Sequence, residues 1–409
     1  ADEDVYLACA SRSPLALRSY SVGAQAVAKK KQPWTLSSDG VEDRVRALFA
    51  RLVNCDAADV ALCQSTSFAL TTAARAVSLH MSPGDVGLVL EDQMSSNTYP
   101  WNLLQRRHGL ALEAVPYPRD GDWTAALLRR LAELEDAKRR VAVVAVPVYL
   151  WTDGSGPVDI AAVSEVCRRP GRSMRTALVV DATQSLGAVP FDVQSSPVDF
   201  LAASVHKWLF GAYGLSCLFV AREWWENELL EPLVEDEHNR AHMANADDES
   251  PFDMQIPGYP LAYREGARRF DGGGRPNPIL LPIAEDGMTL VLRWGVAKTA
   301  AALAPLTRRI HERCTTELGL WVPPNHGPHF LGVGPGPEDK CHSPTEVAAW
   351  VREAGAFLKT HRVYVSAKLK VLRVAPHLYT RPADVDRFVD ILATFVKEHR
   401  GAAPCASRL

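Results

Sequence analysis

Two neighbouring stretches decide how this chain folds: Ala177-Leu-Val-Val-Asp181-Ala-Thr-Gln184-Ser-Leu-Gly187, and Phe200-Leu-Ala-Ala-Ser204-Val-His206-Lys207-Trp208. Each opens on an apolar run without polar alternation, the pattern of a strand buried on both faces of a parallel sheet. In such sheets ligands collect beyond the carboxyl ends of the strands. Asp181 closes the first run and Lys207 follows the second. A lysine at a strand end is partly desolvated, which lowers its pKa and turns its amine into a nucleophile for carbonyls. An aspartate at the neighbouring strand end is suited to partner a protonated pyridine nitrogen. Taken singly, these would be a structural Asp and a surface Lys. On consecutive strand ends, 207 − 181 = 26 residues apart, they form a constellation.

Outward from this window, short apolar segments alternate with helix-length ones between about residues 45 and 220. The pattern predicts strands at Val60–Leu62, Val86–Leu90, Leu112–Val115, Val141–Pro147, Thr176–Asp181, Phe200–Ala203 and Leu215–Val220. Helices are predicted at Ser67–His80, Thr98–His108, Thr124–Lys138 and Asp159–Arg168, with Ser67 and Asp159 as N-caps. Alternation of this kind implies a mainly parallel sheet with right-handed crossovers. From 221 to about 285 the pattern gives way to a long functional loop ending in Gly272-Gly273-Gly274. A helix from Ile283 to Glu317 broken at Pro305, strands at His329–Val333 and Val363–Ser366, and a last helix Pro382–Glu398 make a smaller α+β lobe. The expected division is a large domain over 1–280, whose N-terminal segment serves the small lobe or the substrate side, and a small domain over 281–409.

Composition narrows the function classes. The 45 Lys+Arg and 48 Asp+Glu leave a formal charge of −3, which excludes a dedicated nucleic-acid binder. An apolar content of 47% excludes a disordered or fibrous chain. The longest apolar run, Val141 to Trp151, contains Pro147 and falls well short of the ~20 residues that span a bilayer. Ala1-Asp2-Glu3-Asp4 has neither a basic n-region nor an apolar h-region, and the eight scattered cysteines contain no CxxC pair. The expectation is a cytoplasmic protein with reduced thiols and no membrane segment. Glu235, Asp236, Glu237, His238 and His242 lack the HExxH order and read as a solvated loop, so no metal site is expected. Gly332-Val-Gly334-Pro-Gly336 reads as a turn, because its prolines bar the helix that would receive a phosphate.

Asp181-Ala-Thr-Gln184 followed by Ser204-Val-His206-Lys207 resembles the pyridoxal 5'-phosphate site of the class V aminotransferase superfamily, which includes cysteine desulfurases, selenocysteine lyases, isopenicillin N epimerases and kynureninases. The resemblance implies an α/β chain with the type I pyridoxal-phosphate fold. It makes Lys207 the cofactor-linking lysine and general base, and Asp181 the partner of the pyridine nitrogen. Gln184 would bond the ring's phenolic oxygen, and Ser204 and His206 the phosphate. In Cys63-Gln64-Ser65-Thr66-Ser67, a strand-to-helix turn of the kind that cradles anions, Thr66 and Ser67 would also hold the phosphate. Where relatives stack an aromatic ring on the cofactor this chain carries Met94, whose thioether suits a π face, and Asn97 falls on the substrate side. Arg268-Arg-Phe-Asp271-Gly-Gly-Gly274-Arg275-Pro-Asn277 resembles a segment that reaches into the partner subunit's site, so Arg275 or Asn277 would touch the phosphate across a homodimer interface. Val371-Leu-Arg373-Val-Ala-Pro376 resembles the segment whose Arg holds the substrate α-carboxylate, a task that suits a bidentate guanidinium.

The implied substrate is an amino acid, activated as a Cα carbanion. Desulfurases need a nucleophilic Cys shortly before the carboxylate-binding Arg, yet His361–Lys370 contains none, and Cys341 reads as an ordinary thiol. The expected activity is therefore a lyase on a sulfur-containing amino acid that forms no protein persulfide. Aminotransferase and amino-acid epimerase are the alternatives. An inactive interaction protein is the non-enzyme rival, and intact Lys207, Asp181, Gln184, His206 and Arg373 argue against it.

Overall fold

Fully buried apolar strands gather the chain around one seven-stranded sheet. The computed structural model describes residues 4–35, 40–169, 175–226, 230–240, 262–274, 277–336 and 343–399. In chain order the first elements are β1 (Val5–Tyr6), α1 (Leu17–Lys29), α2 (Val41–Val53), β2 (Val60–Cys63), α3 (Thr66–Ser78), β3 (Val86–Leu90), α4 (Tyr99–His108) and β4 (Ala111–Val115). Next come α5 (Trp123–Asp136), β5 (Val141–Pro147), α6 (Ile160–Cys167), β6 (Ala177–Asp181), β7 (Phe200–Ser204), β8 (Ser216–Val220) and α7 (Arg222–Trp225). The last part holds α8 (Leu280–Trp294), α9 (Val296–Thr316), β9 (Leu331–Val333), α10 (Pro344–Thr360), β10 (Val363–Tyr364), β11 (Ser366–Lys368), β12 (Val371–Val374) and α11 (Pro382–Glu398).

The large sheet has the order β2-β8-β7-β6-β5-β3-β4. All its pairings are parallel except those of β8, which runs against β2 and β7. Every residue of β3, β5, β6, β7 and β8 is buried, as their lack of alternation predicts. A second, antiparallel sheet of order β11-β12-β9 lies in the C-terminal part. There β1 pairs in parallel with β10, Val5 opposite Val363, and Ala8 bridges Ala375. Residues 5–8 are thus stitched beside β12, where Arg373 sits. No helix among the described residues is long and apolar enough to cross a membrane.

Several expectations are corrected. The N-cap of α3 is Ser65, not Ser67: its hydroxyl accepts the Phe68 amide at 3.1 Å. The long helix breaks at Gly295, whose φ of 80° lies in the left-handed region, while Pro305 rides inside α9. Gly332 belongs to β9 rather than to a turn: it pairs with Arg373 of β12, and it packs so closely that a Cβ there would come within 2.7 Å of Asp153 Cβ. Helices α1 and α2 went unread. The buried face of α1 is Ser19, Gly23 and Ala26, small residues that leave no apolar stripe, and Gly23 fits under Ile283 of α8.

Candidate active site

The carboxyl ends of β2, β5, β6 and β7 surround a cavity of about 280 Å³. Register brings them level, with Pro147 opposite Asp181 and Asp181 opposite Ala202. Asp181, Gln184, Ser204, His206 and Lys207 all line the cavity, as do Thr66, Ser67, Met94 and Asn97. Nine residues singled out by sequence thus meet in one place. Arg373 lies just outside the lining. Asn277 stands at the start of α8, where its carboxamide oxygen accepts the Ile279 and Leu280 amides, both at 3.0 Å. Arg275 lies outside the described residues, as does His242.

Lys207 is deeply desolvated. Burial pulls its ammonium down to about 8, opposed by Asp181 and reinforced by the charges of Arg373 and Lys368. Burial pushes the Asp181 carboxyl up, against the Thr183 amide, which donates to it at 3.0 Å, and the Lys207 charge. His206 is driven down to about 4 by burial and by Lys207, and its neutral ring stacks on Tyr213 with centroids 4.2 Å apart.

A hydroxyl network floors the cavity. Thr183 Oγ1 accepts the Ser204 amide at 3.2 Å and shares a proton with Thr66 Oγ1 at 3.3 Å. Thr66 in turn meets Ser216 Oγ at 3.3 Å. Above this floor, Thr66 and Ser67 open α3, so their amides precede any intrahelical acceptor and favour an anion. Gln184 is held at both ends: its Nε2 donates to Ala10 O at 3.0 Å, and its Oε1 accepts from Trp208 Nε1 at 3.1 Å. The Asn97 oxygen takes the Trp101 indole at 3.3 Å, whereas its Nδ2 is buried without a partner on the cavity wall.

Arg373 is buried and, among the described residues, meets only neutral acceptors, Trp151 O at 2.6 Å and Ser11 Oγ at 2.7 Å. Its Nε has no partner, and burial lowers its pKa to about 10. The stretch Val148–Gly154, which resembles a family loop on the substrate side, supplies Tyr149 and Trp151 to the lining, whereas sequence reasoning missed Thr183 and Tyr213. Thr183 was within reach, since it lies inside the quoted motif; Tyr213 carries no local signal. Outside the cavity, the acidic loop is internally satisfied: Glu235 takes Arg240 and Tyr263, and Asp236 accepts from His238.

The donor set fits pyridoxal phosphate. It offers helix-terminal amides and hydroxyls for a phosphate, a desolvated lysine for an aldehyde, a buried carboxyl for a ring nitrogen and an unpartnered buried amide beside the substrate space.

Comparison with known proteins agrees. The profile of the family described as Aminotransferase class-V matches residues 20–235. A protein named "Probable cysteine desulfurase" from Pyrococcus abyssi is 24% identical over 87% of this chain and 84% of its own. The "Uncharacterized aminotransferase YcbU" of Bacillus subtilis is 28% identical over 84% of this chain and 81% of its own. Among solved structures, an apo cysteine desulfurase from Thermococcus onnurineus NA1 superposes with a TM-score of 0.75 at 19% identity, covering 97% of this chain and 96% of that one. The cystine C–S lyase C-DES, solved with cysteine persulfide, does so with a TM-score of 0.76 at 18% identity over 95% and 97%. These two structural likenesses are of fold.

Proposed function

The chain belongs to the class-V aminotransferase family and is a pyridoxal-phosphate enzyme; from that premise we propose that it is a lyase acting on a sulfur-containing amino acid without a protein persulfide. The observation that carries its catalytic part is Lys207, a half-buried lysine on the cavity wall, lowered to about 8 across from the buried Asp181 carboxyl. Bound in the cavity, pyridoxal phosphate supplies an electron-withdrawing ring that accepts the negative charge left at a substrate carbon.

The chain's own residues supply the rest. Thr66, Ser67, Ser204 and His206 bind the phosphate, the α3 amides giving it a positive dipole end. Asp181 holds the proton on the pyridine nitrogen, because a carboxyl kept in a dry site gains most from a cationic partner. Gln184, clamped by Ala10 and Trp208, presents its amide to the phenolic oxygen. Met94 covers the ring, and Asn97 and Arg373 orient the amino acid. Lys207 removes and returns the proton at Cα, with a pKa near the working pH as general base catalysis requires.

The case against a persulfide rests on residues 361–370, which carry Ser366 and Lys368 beside Arg373 and no thiol. The printed names of the relatives support sulfur amino acids as the substrate class. We further propose a homodimer, supported by Tyr213, 57% exposed at the cavity rim, and by the exposed Met94 and Tyr99 nearby. A cytoplasmic setting accords with the free, buried Cys63 and Cys217.

The visible spectrum of the reconstituted protein, before and after adding cysteine or its S-substituted analogues, tests the reaction. A band that shifts while pyruvate is released is expected. Bleaching to the pyridoxamine form would overturn the lyase in favour of transamination, and racemised substrate would make the enzyme an epimerase. Absence of any band would leave an inactive interaction protein.

A further inference from the structure

Beside Arg373 stands a second cation that the proposed chemistry does not use. Ser366 pairs with Arg373 and Lys368 with Val371 across the β11–β12 hairpin. Alternation along the strands then puts Ser366, Lys368 and Arg373 on one face. That face meets Trp151: Lys368 Nζ lies 5.6 Å and Arg373 Cζ 5.9 Å from its ring centroid, within cation–π range. Trp151 lines the cavity, so both cations stand just behind one of its lining residues, and both their charges act on Lys207.

Neither has a carboxylate partner among the described residues. Arg373 ends on the neutral Trp151 and Ser11 oxygens, and Lys368 makes no ion pair. Neighbouring carboxylates are engaged elsewhere: Asp92 with Lys370 at 3.5 Å, and Asp153 with Tyr117 and the Ser155 amide, both at 2.9 Å. Burial, Arg373 and Arg12 together push the Lys368 amine down, as expected of a half-buried cation among cations. Asp181 acts on Lys207, and no carboxylate among the described residues acts on Arg373 or Lys368. The α-carboxylate of an amino acid answers Arg373 and leaves Lys368 unmatched.

We propose that Lys368 is a specificity residue, selecting, among sulfur-containing amino acids, those whose short side chain ends in a second negative charge. The inference rests on the reading of the cavity as the cofactor site with Arg373 at the α-carboxylate, and it names the substrate class of that site.

L-Aspartate and L-asparagine, nearly identical in shape and different by one charge, serve as probes in a titration of the holoenzyme followed by visible absorbance. Aspartate should bind about tenfold more tightly, the scale of one partly buried charge pair, and the preference should shrink as salt rises. Lys368→Gln should bring the ratio towards one mainly by weakening aspartate, and Lys368→Arg should keep the preference. Equal binding of the two probes by the unaltered holoenzyme would overturn the inference. So would a Lys368→Gln variant that weakens both alike, which would make Lys368 a second ligand of the α-carboxylate. A cofactor band that neither probe shifts would instead remove the underlying substrate-site reading, and the inference with it.

Discussion

Trp208 Nε1 donates to Gln184 Oε1 across 3.1 Å, tying the residue after Lys207 to the residue three after Asp181. His329 holds the same glutamine from behind, its Nε2 bonded to Gln184 O at 2.5 Å. Burial lowers His329 to about 3, so it is neutral and donates through Nε2. The two strand ends that line the cavity are therefore locked to each other and to the segment before β9. Trp208→Phe should leave a buried acceptor unpaired, at about 1–3 kcal/mol. Thermal melts should show the loss, and titration with pyridoxal phosphate should show weaker binding than in the unaltered protein.

Lys207→Ala should remove the covalent cofactor band and turnover together; activity retained in this variant would dismiss Lys207 as the base. In the unaltered apoprotein, the neutral amine is the form that attacks the cofactor aldehyde. Since burial lowers Lys207 to about 8, the neutral fraction grows as pH rises through 8. Stopped-flow uptake of pyridoxal phosphate should accelerate with a midpoint near pH 8, instead of climbing only towards the ordinary lysine range.

Arg373→Lys keeps a charge but loses the planar fork that bonds Trp151 O and Ser11 Oγ. KM for amino acids should rise about tenfold to a hundredfold, by the 1–3 kcal/mol of a charge-assisted bond. Cofactor affinity, measured from the visible band, should change far less. Equal losses in both would place Arg373 in the fold rather than at the substrate.

Buried Arg46 and half-buried Asp271 form a pair that holds the Gly-rich segment against β2. Arg46 also donates to Val60 O at 2.6 Å, and Asp271 accepts the Leu62 amide at 2.8 Å. Arg46→Met alone strands the carboxylate and should cost about 3–5 kcal/mol in chemical denaturation. Pairing it with Asp271→Leu should recover part of that loss; no recovery would show that packing, not charge, dominates there.

Sedimentation should give a dimer mass. A monomer with full activity would remove the proposed contribution of a partner subunit.

Legibility followed the range of the signal. Buried strands announce themselves within five to seven residues, so β3 and β5 were read with their observed ends, and α11 with its Pro382 start. Helix α1 was not readable, because its buried face is Ser19, Gly23 and Ala26 and its exposed positions include Leu17 and Tyr20. Ser65 and Ser67 are equally good cap residue types, and only the extended backbone at Ser65 makes it the cap.

By itself, the order of residues determined the mainly parallel sheet and the two polar strand ends at Asp181 and Lys207 that meet in the cavity. These are short-range patterns, and a strand buried on both faces needs no partner to be recognised. The tertiary structure alone decided that Ala10 and Trp208 clamp Gln184, that Ser11 meets Arg373 from 362 positions away, and that Lys368 and Arg373 share Trp151. Contacts across such separations leave no periodicity in the chain; they exist only once β1 has paired with β10 and the first dozen residues have closed over the site.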